Sequence, residues 1–399
     1  MDTLKSAFDS AELNFSKILQ TYKPDLLIYD FMRPWPAEAA SRLNMPAVQF
    51  IATSSAMTSY MLHVYKSPGS DFPFSEIYYH DYERIHEEKL KIKSVENDLV
   101  MKSIERSTDI ILIKGFKEID GKYSDYLSEI AGKTVVQVGP LVQLPTRKDE
   151  NSEIIQWLNK KAQGSTIFVS FGSEYFLSKE DFEEIAHGLM LADVNFIWVV
   201  RFPVGEKIRL EEELPSGFWE KVGDRGKVVE GWAPQSKILE HSSIGGFVSH
   251  CGWNSVNESM YFGVPIIALP MHLDQPVNAK LVEEIGTGVE VVRNTKGRPE
   301  REEILADIGV EVVRNTKGKL EREEIVAGIG DEVMRNTKGK LEREEIAAVI
   351  NHVVVKKDGE PVRKKAKELK DTIKMKGDKE IVEMVKALKQ ILQDKSGLF

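Results

Sequence analysis

One cysteine, Cys251, stands among 399 residues, so the chain can form no intrachain disulfide and suits a reducing compartment. The cytosol is the expected location. Long apolar runs are missing too: nothing is long enough to span a bilayer. The N-terminal MDTLKSAFDSAELNFSKIL has helical apolar spacing, but it lacks the unbroken apolar core and small-residue cleavage site of a secretory signal. Excess positive charge is lacking as well. With 54 Lys and Arg against 63 Asp and Glu the net charge is -9, which argues against nucleic acid as a partner, because phosphate contacts need a basic surface. No G-x-G-x-x-G follows the first predicted strand, which counts against a nicotinamide-dependent dehydrogenase.

What is present is an α/β rhythm, in a chain that is 42% apolar and 29% charged and long enough for two cores. Short apolar strands DLLIYD (25–30), PAVQFI (46–51), DIILIK (109–114) and VVQVG (135–139) alternate with amphipathic segments, the pattern of a parallel sheet. GPLVQLPTRKDENS, from Gly139 to Ser152, is rich in proline and charge without periodicity and reads as a linker. The rhythm resumes with STIFVSF (165–171), NFIWVV (195–200), GKVVEG (226–231), GGFVSH (245–250) and VPIIAL (264–269). Two Rossmann-like lobes with a cleft between them are expected: residues 1–140, a linker at 141–152, 153–375, and a C-terminal helix at 376–399 packing back toward the first lobe. The basic stretch from Lys356 interleaves lysines with acids at helical spacing and reads as a solvated helix face rather than an anion site.

The second lobe carries an internal triplication. VVRNTKGRPEREEI, VVRNTKGKLEREEI and VMRNTKGKLEREEI begin 21 residues apart, at Val291, Val312 and Val333. No leucine ladder accompanies them, which counts against a leucine-rich solenoid. The pattern reads as tandem duplication of one strand, turn and helix start, with two copies surplus to the parent fold and protruding from its surface as short helices and turns.

The chemistry concentrates between Trp232 and Gln275, WAPQSKILEHSSIGGFVSHCGWNSVNESMYFGVPIIALPMHLDQ. GGFVSH is a buried strand, and Cys251-Gly252 turns it directly into a helix opening at Trp253-Asn254-Ser255. A helix N-terminus at a strand's carboxyl end presents backbone N–H groups and partial positive charge, which is where an open α/β sheet binds a diphosphate. Gly252 permits close backbone approach, and His250 can donate to a phosphate oxygen. Glu258 follows Asn254 and Ser255 at helical spacing and can accept both hydroxyls of a ribose. Trp232 offers a flat apolar face to a base. Asp274 and Gln275 precede Pro276 at a strand end, where sugar hydroxyls can be held. Taken singly, each has a plainer reading as core residue, satisfied polar group or helix cap; together they point to a nucleotide-sugar site.

This 44-residue segment, Trp232 to Gln275, resembles the signature of plant family 1 UDP-dependent glycosyltransferases of the two-lobed GT-B fold. The resemblance implies that Trp232 stacks on uracil, that the Gln235 region adds base contacts, and that His250, Asn254 and Ser255 hold the diphosphate. It implies further that Glu258 holds the ribose, and Asp274 with Gln275 the hexose. Phe171-Gly172-Ser173 is similar to the loop whose serine touches the phosphates. Trp253 and Gln275 are the choices associated with glucose. VSFGSEYFLSKEDFEEIAHGL resembles the branch that lengthens sugar chains on glucosides of flavonoids, lignans and triterpenes. No Asp-x-Asp pair occurs, so neither a metal nor another cofactor is expected, and leaving-group charge falls on the helix terminus.

The same resemblance exposes a gap. In the family a histidine after the first strand deprotonates the acceptor, oriented by an aspartate after a later strand. Asp30 matches that aspartate, whereas none of the eight histidines matches its partner. His63 and His80 read as surface or helix residues. The first lobe is therefore expected to be incomplete at its N-terminus. Two outcomes stay open: a monomeric UDP-glucose-dependent transferase acting on a small, already glucosylated molecule, and an inactive UDP-sugar-binding protein.

Overall fold

A computed structural model describes residues 2–30, 32–83, 87–88, 90, 94–145, 153–203, 205, 209–295 and 339–396. The chain forms two compact units. One gathers Met1–Pro73, Leu90–Leu141 and Lys376–Phe399, and the other Phe74–Lys89 with Val142–Met375.

The first unit is built on four parallel strands, β1 (Leu27–Asp30), β2 (Ala47–Ile51), β3 (Ile110–Ile113) and β4 (Thr134–Gln137), in that spatial order. β3 reads Ile-Ile-Leu-Ile and is buried throughout, as a central parallel strand covered on both faces must be. β1 is an edge strand, and Ile28 on it is half exposed. Helix α1 (Ser55–Lys66) starts where the Ser54 hydroxyl accepts from Met57 N–H, and α2 (Lys117–Ala131) stops at Gly132, whose left-handed backbone suits a helix C-terminus. Buried Asp120 ties these elements together, accepting from Ser55 N–H at 2.7 Å and Gln137 Nε2 at 2.6 Å. Burial lifts its carboxyl to about 6. The helix Lys379–Ser396 belongs to this unit, with Ile391 buried beside Val48, Ile110 and Leu112.

The second unit holds six parallel strands: β5 (Thr166–Ser170), β6 (Asn195–Val200), β7 (Gly226–Glu230), β8 (Ile244–Ser249), β9 (Ile266–Ala268) and β10 (Gly288–Glu290). Their order, β10-β9-β8-β5-β6-β7, is that of a doubly wound dinucleotide-binding sheet. Alternation along β5 sends Ile167 and Val169 into one core, with Phe182, Trp198 and Ile350, and Phe168 into another, with Ile197, Ile238 and Phe247. Helix α3 (Lys179–Leu191) covers the first face. α4 (Gln235–Glu240), α5 (Trp253–Phe262) and α6 (Gln275–Glu284) follow β7, β8 and β9 in turn.

The two ends of the repeat region meet in this unit. The first copy runs on from β10 through Val291 to Asn294, which pairs antiparallel with Lys340 of the third copy. α7 (Arg343–Val354) then buries Ile346, Ile350 and Val353. Two ion pairs lock both ends onto α3: Arg293 to Asp181 at 2.9 Å, and Arg343 Nε to Glu184 Oε2 at 2.9 Å. Residues 296–338, and with them the expected protrusion of the surplus copies, lie outside the described residues.

Candidate functional site

β5 and β8 are neighbours although β6 and β7 come between them in sequence, so the strand order reverses between them. Their carboxyl ends flank the crevice where doubly wound sheets bind ligands. β5 runs out into Phe171-Gly172-Ser173, with Ser173 exposed, and β8 into His250-Cys251-Gly252. The His250 ring lies between two glycines. A Cβ at Gly172 would sit 2.7 Å from His250 Nε2, and one at Gly252 2.6 Å, so neither position has room for a side chain. Burial, with His272 nearby, pushes the imidazole down to about 4, so it is neutral at physiological pH. Its Nδ1 is buried without a hydrogen-bond partner among the described residues. Gly252 is the N-cap of α5 and brings no side chain to this helix N-terminus, whose partial positive charge favours an anion.

Cys251, between them, adopts φ 62°, a left-handed conformation that costs a non-glycine residue roughly 1–2 kcal/mol. Two contacts hold it there: its N–H donates to Ser249 Oγ at 3.1 Å, and its carbonyl accepts from Asn278 Nδ2 at 3.0 Å. One turn into α5, Ser255 and Glu258 share a partner, since Gln235 Nε2 donates to Glu258 Oε2 at 2.6 Å and to Ser255 Oγ at 3.2 Å. Asn254 is exposed beside them, whereas the Trp253 side chain is inside the core. Trp232, just after β7, is 68% exposed, an indole face turned to solvent.

After β9 the chain turns through Leu273, which has φ 58°, into α6. Gln275 is buried, and its Oε1 accepts from the backbone N–H groups of Met271 and His272, both at 3.0 Å. The amide nitrogen is what this side chain has to offer a ligand. Asp274 is half buried and accepts from Asn278 Nδ2 at 2.9 Å. Helix start, neutral imidazole, carboxylate and exposed indole thus all follow the carboxyl ends of strands of one sheet.

Residues 82–307 match the family model described as UDP-glucoronosyl and UDP-glucosyl transferase. The chain is 47% identical over 397 residues to UDP-glucosyltransferase 29 of Panax ginseng, covering 98% of this chain and 79% of that protein. It belongs to the UDP-glycosyltransferase family. Beta-D-glucosyl crocetin beta-1,6-glucosyltransferase of Gardenia jasminoides is 52% identical over 312 residues, 76% of this chain and 70% of that one. In fold, the chain is similar to Glycyrrhiza uralensis UGT73P12 solved with glycyrrhetinic acid 3-O-monoglucuronide, with a TM-score of 0.75, 23% identity and coverage of 100% of this chain and 80% of that chain. The α/β architecture with parallel sheets expected from the sequence is therefore that of the GT-B glycosyltransferases.

Within this glycosyltransferase Asp30 ends β1, exposed, with Oδ1 accepting from Met32 N–H at 3.3 Å. No hydrogen bond or ion pair joins it to a histidine among the described residues. His63 lies in α1, buried, with Nδ1 2.6 Å from the Tyr126 hydroxyl. His80 corrects an expectation, being neither a surface nor a helix residue. It precedes the short turn Asp81–Glu83, stacks on Tyr82 and lies 3.3 Å from Glu290, whose carboxylate raises its pKa. His80, Glu83 and Glu290 have the spacing of a metal site, but the Lys280 ammonium already stands 2.9 Å from His80 Nε2 and 2.5 Å from Glu290 Oε2. Sequence reading missed Asn278, Ser249 and Lys280, which lie outside or inconspicuously within the signature; only the asparagine, polar in the middle of an apolar helix face, left a trace. No helix among the described residues is long and apolar enough to cross a membrane.

Proposed function

We propose that the chain transfers glucose from UDP-α-glucose, with inversion, to a hydroxyl of a small molecule that is already glycosylated. The acceptor oxygen attacks C1, the bond from C1 to the UDP oxygen breaks, and the product is a β-glucoside. The carrying observation is His250, neutral and clasped by Gly172 and Gly252 at the N-terminus of α5. A neutral ring donates one hydrogen bond to a diphosphate without bringing a buried charge, and the helix terminus takes up the charge left by departure of the sugar.

In this reading residues 153–375 bind the donor and 1–140 the acceptor, with 141–152 linking them. Ser173, Asn254 and Ser255 complete the diphosphate site, Trp232 and Gln235 hold uracil, Glu258 the ribose, and Asp274 with Gln275 the hexose. Trp253 contributes backbone N–H at the first helical position. Asp30 orients whatever group takes the acceptor's proton. The preference for an already glycosylated acceptor is supported by the crocetin-glucoside relative. We further propose a monomer that works without metal in the cytosol, the location favoured by its single buried thiol.

Two measurements test this. Radiolabelled UDP-glucose with triterpene and flavonoid glucosides should give labelled β-glucosides, unchanged by a chelator; a folded chain that binds UDP-glucose without turnover would leave only the binding-protein reading. In calorimetric competition UDP-glucose should beat UDP-galactose, since one inverted hydroxyl leaves polar groups unpaired at a cost of roughly 1–3 kcal/mol. Equal affinity would contradict the roles of Asp274 and Gln275.

A further inference from the structure

Asn278 occupies an interior position of α6, where asparagine is less favourable than alanine, and it is completely buried. Its backbone N–H already serves the helix, donating to Asp274 O at 3.0 Å. The side-chain amide is engaged elsewhere. One Nδ2 donates to two acceptors on different elements, the Cys251 carbonyl at 3.0 Å and Asp274 Oδ2 at 2.9 Å. Cys251 is the left-handed residue between His250 and Gly252, and Asp274 is the N-cap residue of α6 but makes no side-chain cap to its own helix. The carboxylate is therefore held by a side chain one turn into α6 rather than by the backbone N–H groups that open the helix.

We propose that Asn278 is a positioning residue for the sugar. Anchored on the backbone of the diphosphate turn, its amide holds the Asp274 carboxylate at a set orientation relative to that turn, so that hexose and diphosphate are gripped in one register. This rests on the donor-site reading given above. A planar amide with two N–H bonds spanning a fixed angle suits such a bridge, because both acceptors are satisfied only when turn and carboxylate keep one mutual geometry. Asn278 touches no substrate in this scheme; it acts through Asp274.

The readout is the ratio of UDP-glucose affinity to UDP affinity, measured by calorimetry on the full chain. Wild type should show a ratio that N278A lowers about tenfold, with UDP itself changed less than threefold. N278S, which keeps one donor, should fall between the two. In the cycle with D274A, the double variant should have the ratio of D274A alone, because Asn278 has nothing left to orient. An unchanged ratio in a folded N278A or N278S chain overturns the inference, as do equal losses for UDP and UDP-glucose or additive effects in the cycle. Failure of both Asn278 variants to fold would also overturn it, leaving the residue a structural part only. Absence of UDP-glucose binding by the wild type would instead remove the donor-site reading beneath it.

Discussion

His250 shows how one side chain can be specified by its neighbours' lack of one. The ring fits only because Gly172 and Gly252 carry no Cβ, and its burial keeps it uncharged. That burial has a measurable sign. The folded value of about 4 lies below the ordinary imidazole value of 6.5, so between the two the unfolded chain binds more protons than the folded one. The stability contribution is complete above pH 6.5 and is lost as pH falls through 4. Urea unfolding of H250N should accordingly lose less stability than wild type between pH 7 and 4.5, with a difference on the order of 2–3 kcal/mol. Parallel pH profiles would show that the imidazole titrates as freely in the fold as out of it.

The triplication belongs to the scale of elements. Asn294 and Lys340 exchange both backbone hydrogen bonds, at 2.9 and 2.8 Å, although 45 residues lie between them. In a single copy of the repeat the equivalent Asn and Lys are separated by Thr-Lys-Gly alone, a three-residue hairpin connection. Removing Lys296 to Thr337, two periods of 21 residues, rejoins Thr295 to Lys338 and restores that connection while keeping Arg293 and Arg343 against α3. Removing one period, Arg293 to Val313, puts Arg314 in the place of Arg293. Both deletions should leave UDP affinity within about threefold, under ~0.7 kcal/mol. A much larger loss in a folded deletion variant would show that the repeat contributes to the donor site.

At the scale of the whole molecule, sequence order and spatial membership part company. Phe74–Lys89 precedes two strands of the first unit yet belongs to the second. A buried charge cluster secures it: Lys280, 3% exposed, meets Glu290, His80 and Glu283, and Glu83 is buried deeply enough to be lifted to about 7. Such a cluster adds little net stability when intact but much instability when broken, because a lone buried charge has no solvent. K280M should therefore cost about 3–5 kcal/mol in urea unfolding, and K280M with E290Q should recover most of it. A loss under ~1 kcal/mol in the single variant would mean that water reaches Glu290.

The strands were legible from the sequence because each is a short apolar run whose burial is decided by its own residues, as with Ile110–Ile113 and Thr166–Ser170. The residues of the proposed donor site were legible for a related reason: His250, Gly252 and Asp274 follow the adjacent strands β8 and β9 and Glu258 lies one turn into α5, so local strand-turn-helix geometry already sets their positions. What no local pattern encodes is a meeting of residues far apart in the chain. The clasp of His250 by Gly172, the bridge from Asn278 to Cys251 and the burial of Glu83 beside Glu290 each depend on which strands become neighbours. That choice is made by packing the whole sheet, and only the tertiary structure records it.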